Sequence, residues 1–376
     1  MQIDAIVMRE LNLPLLRPFQ TSFGTTKDRR VVLAEIHSEG FVGWGECTAG
    51  EHPHFSEESV DSCWNVIVDE LGPLMAAAEP ENGGSCPRIM NLVRGNRMAK
   101  ATLENAIWDL EAQQKGVPLS KLLGGTRTVI PCGVSIGIQP SLVESVEVVG
   151  REVAAGYRRI KLKCKPGWDV ELFEAVRTRF PEITLSCDAN SAYRLKDADH
   201  IATFDQFDLL MIEQPLWYDD FYYHSLLQKQ LQTSICLDES IRNRRDALAA
   251  IEMDSCRIIN IKLGRVGGFS EAIAVHNAAM ERGVPVWCGG MLESGIGRSH
   301  NIALSSLADY SLPGDVSASK RYWAEDIIEP EVTVSNEGEI RISEEPGRGY
   351  EVKTDLVERL TVRKHEIRVR ELVGAS

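Results

Sequence analysis

Charged residues recur through the middle of the chain at a nearly constant interval. Lys163, Asp188, Glu213 and Asp238 stand 25 residues apart, Lys262 follows after 24 and Cys288 after a further 26. Each lies at or near the end of a short β-branched or apolar run, at 159–165, 184–190, 209–215, 234–240, 258–263 and 284–290, and polar turns and helical segments separate the runs. About 25 residues accommodate one strand, one helix and two short loops. Strands buried on both faces that alternate with helices make a parallel sheet, and about eight such units, roughly 200 residues, close into a barrel. The interval predicts an α/β protein with a TIM-like barrel across 126–325.

The flanks do not keep the period. Residues 1–125 mix alternating segments, such as 31–37, with an amphipathic helix over 101–114 whose apolar face carries Ile107, Leu110 and the Trp108 ring. Gly116 stops that helix, and the composition changes after Gly124 and Gly125, which places a domain boundary there. Residues 326–376 contain strand-like pieces at 331–334, 339–342 and 360–362 and are expected to pack back on the first domain. Lys plus Arg total 41 against 55 Asp plus Glu, a net charge of −14 with no basic cluster, which argues against nucleic-acid and anionic-membrane partners. No apolar run reaches the roughly 18 residues of a spanning helix, and the start lacks an export signal. The nine cysteines sit singly with no C-x-x-C pair, the pattern of reduced thiols in a cytoplasmic protein.

In a parallel barrel the C-terminal strand ends share one mouth, so Lys161, Lys163, Asp188, Glu213, Asp238 and Lys262 are expected to converge. Three carboxylates on consecutive strands need a cation between them, and an all-oxygen ligand set suits Mg²⁺, with Mn²⁺ as the alternative. Lys161 and Lys163, two apart, face the interior from one strand, and Lys262 lies across the mouth. A lysine held near another in a partly desolvated pocket loses proton affinity, which makes Lys163 and Lys262 candidate bases and leaves Lys161 to help or to neutralise the carboxylates. Removing a proton next to a carboxylate gives an enediolate, whose charge a divalent ion stabilises.

These residues resemble the enolase superfamily: K-x-K at Lys161 to Lys163, D-A-N at Asp188 to Asn190, E-Q-P at Glu213 to Pro215, D-E-S at Asp238 to Ser240, and Lys262. The stretch from Arg159 to Asp169 and the stretch from Trp287 to Arg298 resemble, more narrowly, the o-succinylbenzoate synthase/N-succinylamino acid racemase group. The resemblance covers nearly the whole chain. It implies a modified (β/α)₇β barrel with an N-terminal α+β capping domain, and Asp188, Glu213 and Asp238 as Mg²⁺ ligands. Lys163 and Lys262 become the acid/base pair on opposite substrate faces, with Lys161 assisting. Ser135, Asn190, Gly290, Met291, Leu292 and Glu293 resemble substrate-site positions. Two cap loops, one carrying Ser22 and Phe23 and one running from Gly50 to Phe55, match regions that shape substrate choice. Arg265 resembles an arginine of the members that racemise, whereas Leu263 stands where relatives often carry proline or alanine. The implied reactions on a small carboxylate substrate are syn dehydration to o-succinylbenzoate, a step of menaquinone biosynthesis, and racemisation of N-succinylamino acids. A homo-oligomer, dimer or octamer, is implied as well.

Rival readings rest on less. A muconate-type cycloisomerase or another epimerase would use the same lysines and metal, but a dipeptide epimerase would carry a D-x-D pair where this chain offers only Glu293. Gly133 to Gly137 matches G-x-S-x-G, the nucleophile elbow of serine hydrolases, but an elbow needs a helix directly after Ser135, and Gly137 and Pro140 intervene. His52 and His54 lack further ligands at a metal-binding spacing. The glycines after Arg265 fit tight packing better than a phosphate cradle. A non-catalytic protein on this scaffold would have lost a ligand or a lysine, and all five key residues are present.

Overall fold

The computed structural model describes residues 1–368. Its first sheet is antiparallel, in the order β15-β1-β2-β3, formed by β1 (Ala5–Gln20), β2 (Thr25–Ser38), β3 (Phe41–Cys47) and β15 (Thr361–Arg368). The long helix Arg97–Gln114 lies on β3, where a Cβ at Gly43 or Gly45 would come within 2.1 Å of Ala106 O or 1.8 Å of Thr102 O. Only glycine permits that approach. The helix begins four residues earlier than expected and ends on Gly116 in the left-handed region, φ 63°.

Between the flanks, β5 (Gly133–Ile136), β6 (Arg159–Lys163), β7 (Thr184–Asp188), β8 (Ile212–Glu213), β9 (Ile235–Leu237), β10 (Ile258–Ile261) and β11 (Val286–Cys288) form a seven-stranded parallel sheet in chain order. The ring closes through a piece too short to count as a strand. Asp315 N donates to Cys288 O (2.8 Å) on one side, and Gly133 N donates to Gly314 O (2.7 Å) on the other. The ladders are shorter than the apolar runs because the chain turns out at the mouth, with Asn190, Ser191 and Gln214 at positive φ.

The C-terminal segment divides. β15 extends the cap sheet beside β1, whereas β13 (Glu339–Arg341) pairs with β4 (Val129–Pro131) beside the barrel, and β12 (Ile328–Glu329) pairs with β14 (Glu351–Val352). Residues 331–334 form no strand; the pairing falls at 328–329 instead. All nine cysteines are free and buried, and among the described residues no helix is long and apolar enough to cross a membrane.

Three helices that lack a side-chain cap of their own are capped by carboxylates from distant chain. Glu58 accepts from Met98 N (3.0 Å) and Ala99 N (3.1 Å) of Arg97–Gln114. Glu104 accepts from Ser270 N (2.7 Å) of Phe269–Met280. Glu46 on β3 accepts from Ser294 N, Ser294 Oγ and Gly297 N at 2.6–2.9 Å, at the start of Gly295–Leu304. Orphan N–H groups are thereby satisfied, although burial raises the proton affinity of all three carboxyls, Glu46 and Glu104 to a pKa of about 7. Because Glu46 ties the cap to the last barrel helix, Glu46→Ala is expected to cost about 2–3 kcal/mol, and Glu46→Gln less. Urea unfolding would show this as a lower midpoint at unchanged slope; an unmoved midpoint would remove the latch.

His300, wholly buried on the same helix, has no hydrogen-bond partner on either ring nitrogen among the described residues, and burial lowers its pKa to about 4. Unfolded chain binds the proton near pH 6.5, so stability is unaffected above that pH and falls as the pH drops toward 4, by about 3 kcal/mol in all. His300→Leu should flatten this part of the stability–pH curve between pH 6.5 and 4, measured by urea titration at each pH; an unchanged slope would contradict it.

Candidate active site

Alternation along the strands sorts the side chains. On β6, Ile160 and Leu162 pack outward on the helices while Arg159, Lys161 and Lys163 point inward. The ladder sets Ser135 beside Lys161 and Ser186, and Lys163 beside Asp188 and then Glu213. Arg159 and Lys161 lie 4.9 and 4.6 Å from the centre of the Trp287 ring, which fills the barrel from β11. The mouth above them is a cleft lined by Ser135, Lys161, Lys163, Lys262, Gly290, Leu292, Glu293 and Asp315.

Asp188, Glu213 and Asp238 are wholly buried at neighbouring strand ends. Each is turned onto a cation. Asp188 Oδ2 lies 2.5 Å from Lys163 Nζ, Glu213 Oε2 lies 2.7 Å from Lys161 Nζ, and Asp238 Oδ2 lies 2.7 Å from Lys262 Nζ, with Arg265 on its other oxygen. Burial opposes ionisation of Asp188, but Lys163 and Lys161 outweigh it and bring the carboxyl down to about 2. Among the described residues no three His, Cys, Asp or Glu side chains stand together in a metal-binding arrangement. The donor chemistry nevertheless fits Mg²⁺, since three adjacent buried carboxylates offer hard oxygen ligands and nothing softer.

Lys163 Nζ donates to Asp188 Oδ2 (2.5 Å) and Asn190 Oδ1 (2.7 Å), and Asn190 Nδ2 donates to Glu239 Oε1 (3.0 Å). Lys262 reaches the cleft from the end of β10, with Phe55 of the cap loop 4.3 Å from its Nζ and Gly289 leaving it room: a Cβ there would sit 2.7 Å from Lys262 Cε. Lys161 pairs with Glu213, Asp188 and Asp315. Burial works against its ammonium, but Asp315, Glu213 and Asp188 outweigh burial and hold its pKa above the ordinary lysine value. Lys161 is a fixed cation.

The other expected substrate positions divide. Asn190, Gly290, Met291, Leu292 and Phe23 line a second chamber of the cleft, between the lysines and the cap loops. Glu293 sits in the first chamber and accepts from Asn301 Nδ2 (2.9 Å). Ser22 meets the barrel through Oγ to Asn190 O (3.3 Å). The β1–β2 hairpin can reach this far because 16 residues of strand span about 50 Å. Arg265 faces neither chamber. Its guanidinium lies behind Asp238 and donates to Ile241 O (2.8 Å) and Asn260 O, so it supports a carboxylate of the mouth.

Two inward groups escaped the sequence reading. Asp315 accepts from Ser135 Oγ (2.7 Å) and pairs with Lys161 and Arg159, both at 2.8 Å; despite its burial, Arg159 and Lys161 hold it ionised well below the usual carboxylate range. One further interval, 27 residues past Cys288, lands on Asp315, so the period could have located it. Asn260 donates Nδ2 to Glu213 Oε1 (2.8 Å) and could have been found two positions before Lys262. The serine-hydrolase reading fails on geometry. Ser135 Oγ is committed to Asp315, and the next helix starts only at Leu142, capped by Ser141. The glycines after Arg265 serve packing: a Cβ at Gly268 would sit 2.4 Å from Glu104 Oε2. His52 and His54 stand with ring centres 5.4 Å apart and join no metal-binding group among the described residues.

Comparison with known proteins agrees over nearly the full length. Residues 2–124 match the mandelate racemase/muconate lactonizing enzyme N-terminal domain family, and residues 144–356 match the enolase C-terminal domain-like family. The chain is 51% identical over 360 residues to an o-succinylbenzoate synthase of Geobacillus stearothermophilus, covering 96% of each. It is 44% identical over 362 residues to an N-succinylamino acid racemase of Thermus thermophilus, covering 96% of this chain and 98% of the relative. The crystal structure of an enolase superfamily member from Listeria innocua superposes with a TM-score of 0.94 at 40% identity, covering 98% of this chain and all of the other. The chain belongs to the enolase superfamily.

Proposed function

We propose that this protein is a Mg²⁺-dependent enzyme that removes the α-proton of a small carboxylate substrate, forming o-succinylbenzoate by syn dehydration, racemising N-succinylamino acids, or both. The observation that carries this reading is that Lys163 and Lys262, from β6 and from the end of β10, line one cleft, each anchored to its own buried carboxylate. Relatives bearing both names, at 51% and 44% identity, support it.

Lys163 in its amine form takes the α-proton from one face, oriented by Asp188 and Asn190. Lys262 in its ammonium form returns a proton from the other face in racemisation, whereas in dehydration it stands by as a cation and Lys163 passes its proton to the departing hydroxyl. Lys161, held protonated by Asp315 and Glu213, keeps a positive charge beside the developing anion. Mg²⁺, held by Asp188, Glu213 and Asp238, would supply electrostatic stabilisation of the enediolate. Phe19, Phe23 and Phe55 line the cap side of the second chamber and exclude water from the substrate's side chain. In keeping with its unpaired cysteines, such an enzyme would work in the cytoplasm, and its assembly as a dimer or octamer would be read by light scattering.

The deciding experiment is proton NMR of N-succinyl-L-phenylalanine in D₂O with Mg²⁺, followed together with optical rotation. Loss of the α-proton signal with loss of rotation establishes two-base racemisation. Neither change, combined with turnover of the o-succinylbenzoate precursor, leaves dehydration alone. Inactivity on both would overturn the proposal in favour of a cycloisomerase or a different epimerase.

A further inference from the structure

We propose that a cationic cleft beside the active site binds an organic anion that carries two or more negative charges on a compact apolar body. The cleft, about 400 Å³, lies between the end of β1, strand β5, the helix Leu142–Ala154 and residues 318–322. Its charged lining is Arg17, Arg151, Lys320 and Arg321 against the single acid Glu152. In a chain of net charge −14, acids were available to neutralise such a group, yet the side chains of Arg17, Arg151 and Lys320 make no hydrogen bond, ion pair or ring contact among the described residues.

Arg321 is the fixed member. It is held by Ser135 O, which accepts from Nη2 at 2.6 Å, and by Glu152 at 3.5 Å, while its buried Nε has no hydrogen-bond partner among the described residues. Cations gathered around a concavity repel one another, and an anion between them relieves that repulsion. Ile136, Val148 and Tyr157 add apolar wall, so a bare inorganic ion would leave part of the cleft unfilled and an organic body fits it better. Phe19 and Tyr322 line both this cleft and the one that holds Lys163 and Lys262, so the two adjoin across common side chains while their charged linings differ. The inference uses no residue of the proton-transfer machinery and stands whichever reaction that machinery performs.

Naphthalene-1,5-disulfonate, flat, apolar and doubly charged, is a suitable probe for titration calorimetry on the full chain. One probe should bind per chain, more weakly as salt is raised. Arg151→Glu/Lys320→Glu should lower the affinity about tenfold or more, and the milder Arg151→Gln/Lys320→Gln, included in case charge reversal disturbs folding, by a smaller factor. Lys163→Ala/Lys262→Ala should leave the affinity within about twofold. Absence of binding to the wild type, affinity indifferent to both Arg151/Lys320 variants, or loss of binding in the double lysine variant would each overturn the proposal, the last by placing the probe in the reaction cleft.

Discussion

Lys262→Ala should lower racemisation by about 10³-fold or more while dehydration, if the enzyme performs it, falls by a smaller factor; Lys163→Ala should suppress both. The asymmetry follows from the roles the two ammonium groups can take. Racemisation needs a proton donor on the face opposite the base, and among the cleft-lining lysines only Lys262 is separated from β6 by three intervening strands. Dehydration takes and returns its proton on one face, so Lys262 contributes only charge there. Exchange of the α-proton with D₂O separates the cases further. Lys262→Ala should still wash deuterium into the substrate enantiomer that presents its α-hydrogen to Lys163, without inverting it. Racemisation retained at more than a small fraction of the wild-type rate would remove Lys262 from the mechanism.

The largest effect on stability is expected at Asp315. Asp315→Ala leaves Arg159 and Lys161, both almost wholly buried, without their common counter-charge, and breaking a buried ion pair from one side costs about 3–5 kcal/mol. The unfolding midpoint in urea should fall accordingly. Adding Lys161→Met should recover part of the loss, because one of the stranded charges is then gone. Catalysis should suffer in the folded single variant as well, since Ser135 and Lys161 lose the carboxylate that orients them. A midpoint equal to the wild type would mean that Glu213 and Asp188 alone suffice to neutralise Lys161 and that Asp315 is dispensable.

Much of the site was legible beforehand, for a local reason. A βα unit has a nearly constant length, and inward and outward side chains alternate along a strand, so Lys161, Lys163, Asp188, Glu213 and Asp238 could be placed at one mouth by subtraction and parity. Asp315 was missed because its strand is reduced to a closing piece around Gly314 with no apolar run to mark it. Arg265 shows what spacing alone leaves open. Its position three residues after Lys262 says that it is near the site, but the short helix Leu263–Val266 sets its guanidinium under Asp238 and outside both chambers.

Lysine proton affinity was another matter for the tertiary structure. The sequence leaves Lys161 either to help or to neutralise the carboxylates, and its affinity is raised because more carboxylates than ammonium groups surround it once the barrel closes. The helix caps are similar: Asn96, Gly268 and Ser294 precede their helices without capping them, and Glu58, Glu104 and Glu46 arrive from 40, 166 and 248 residues away. The barrel and the meeting of three carboxylates and two lysines at its mouth were legible from residue order alone, because repeat length and strand alternation are properties of neighbouring residues. Which charges meet in the dry interior, how the β1–β2 hairpin reaches the mouth and which carboxylate caps which helix emerge on folding, because those pairings join segments whose separation along the chain carries no local signal.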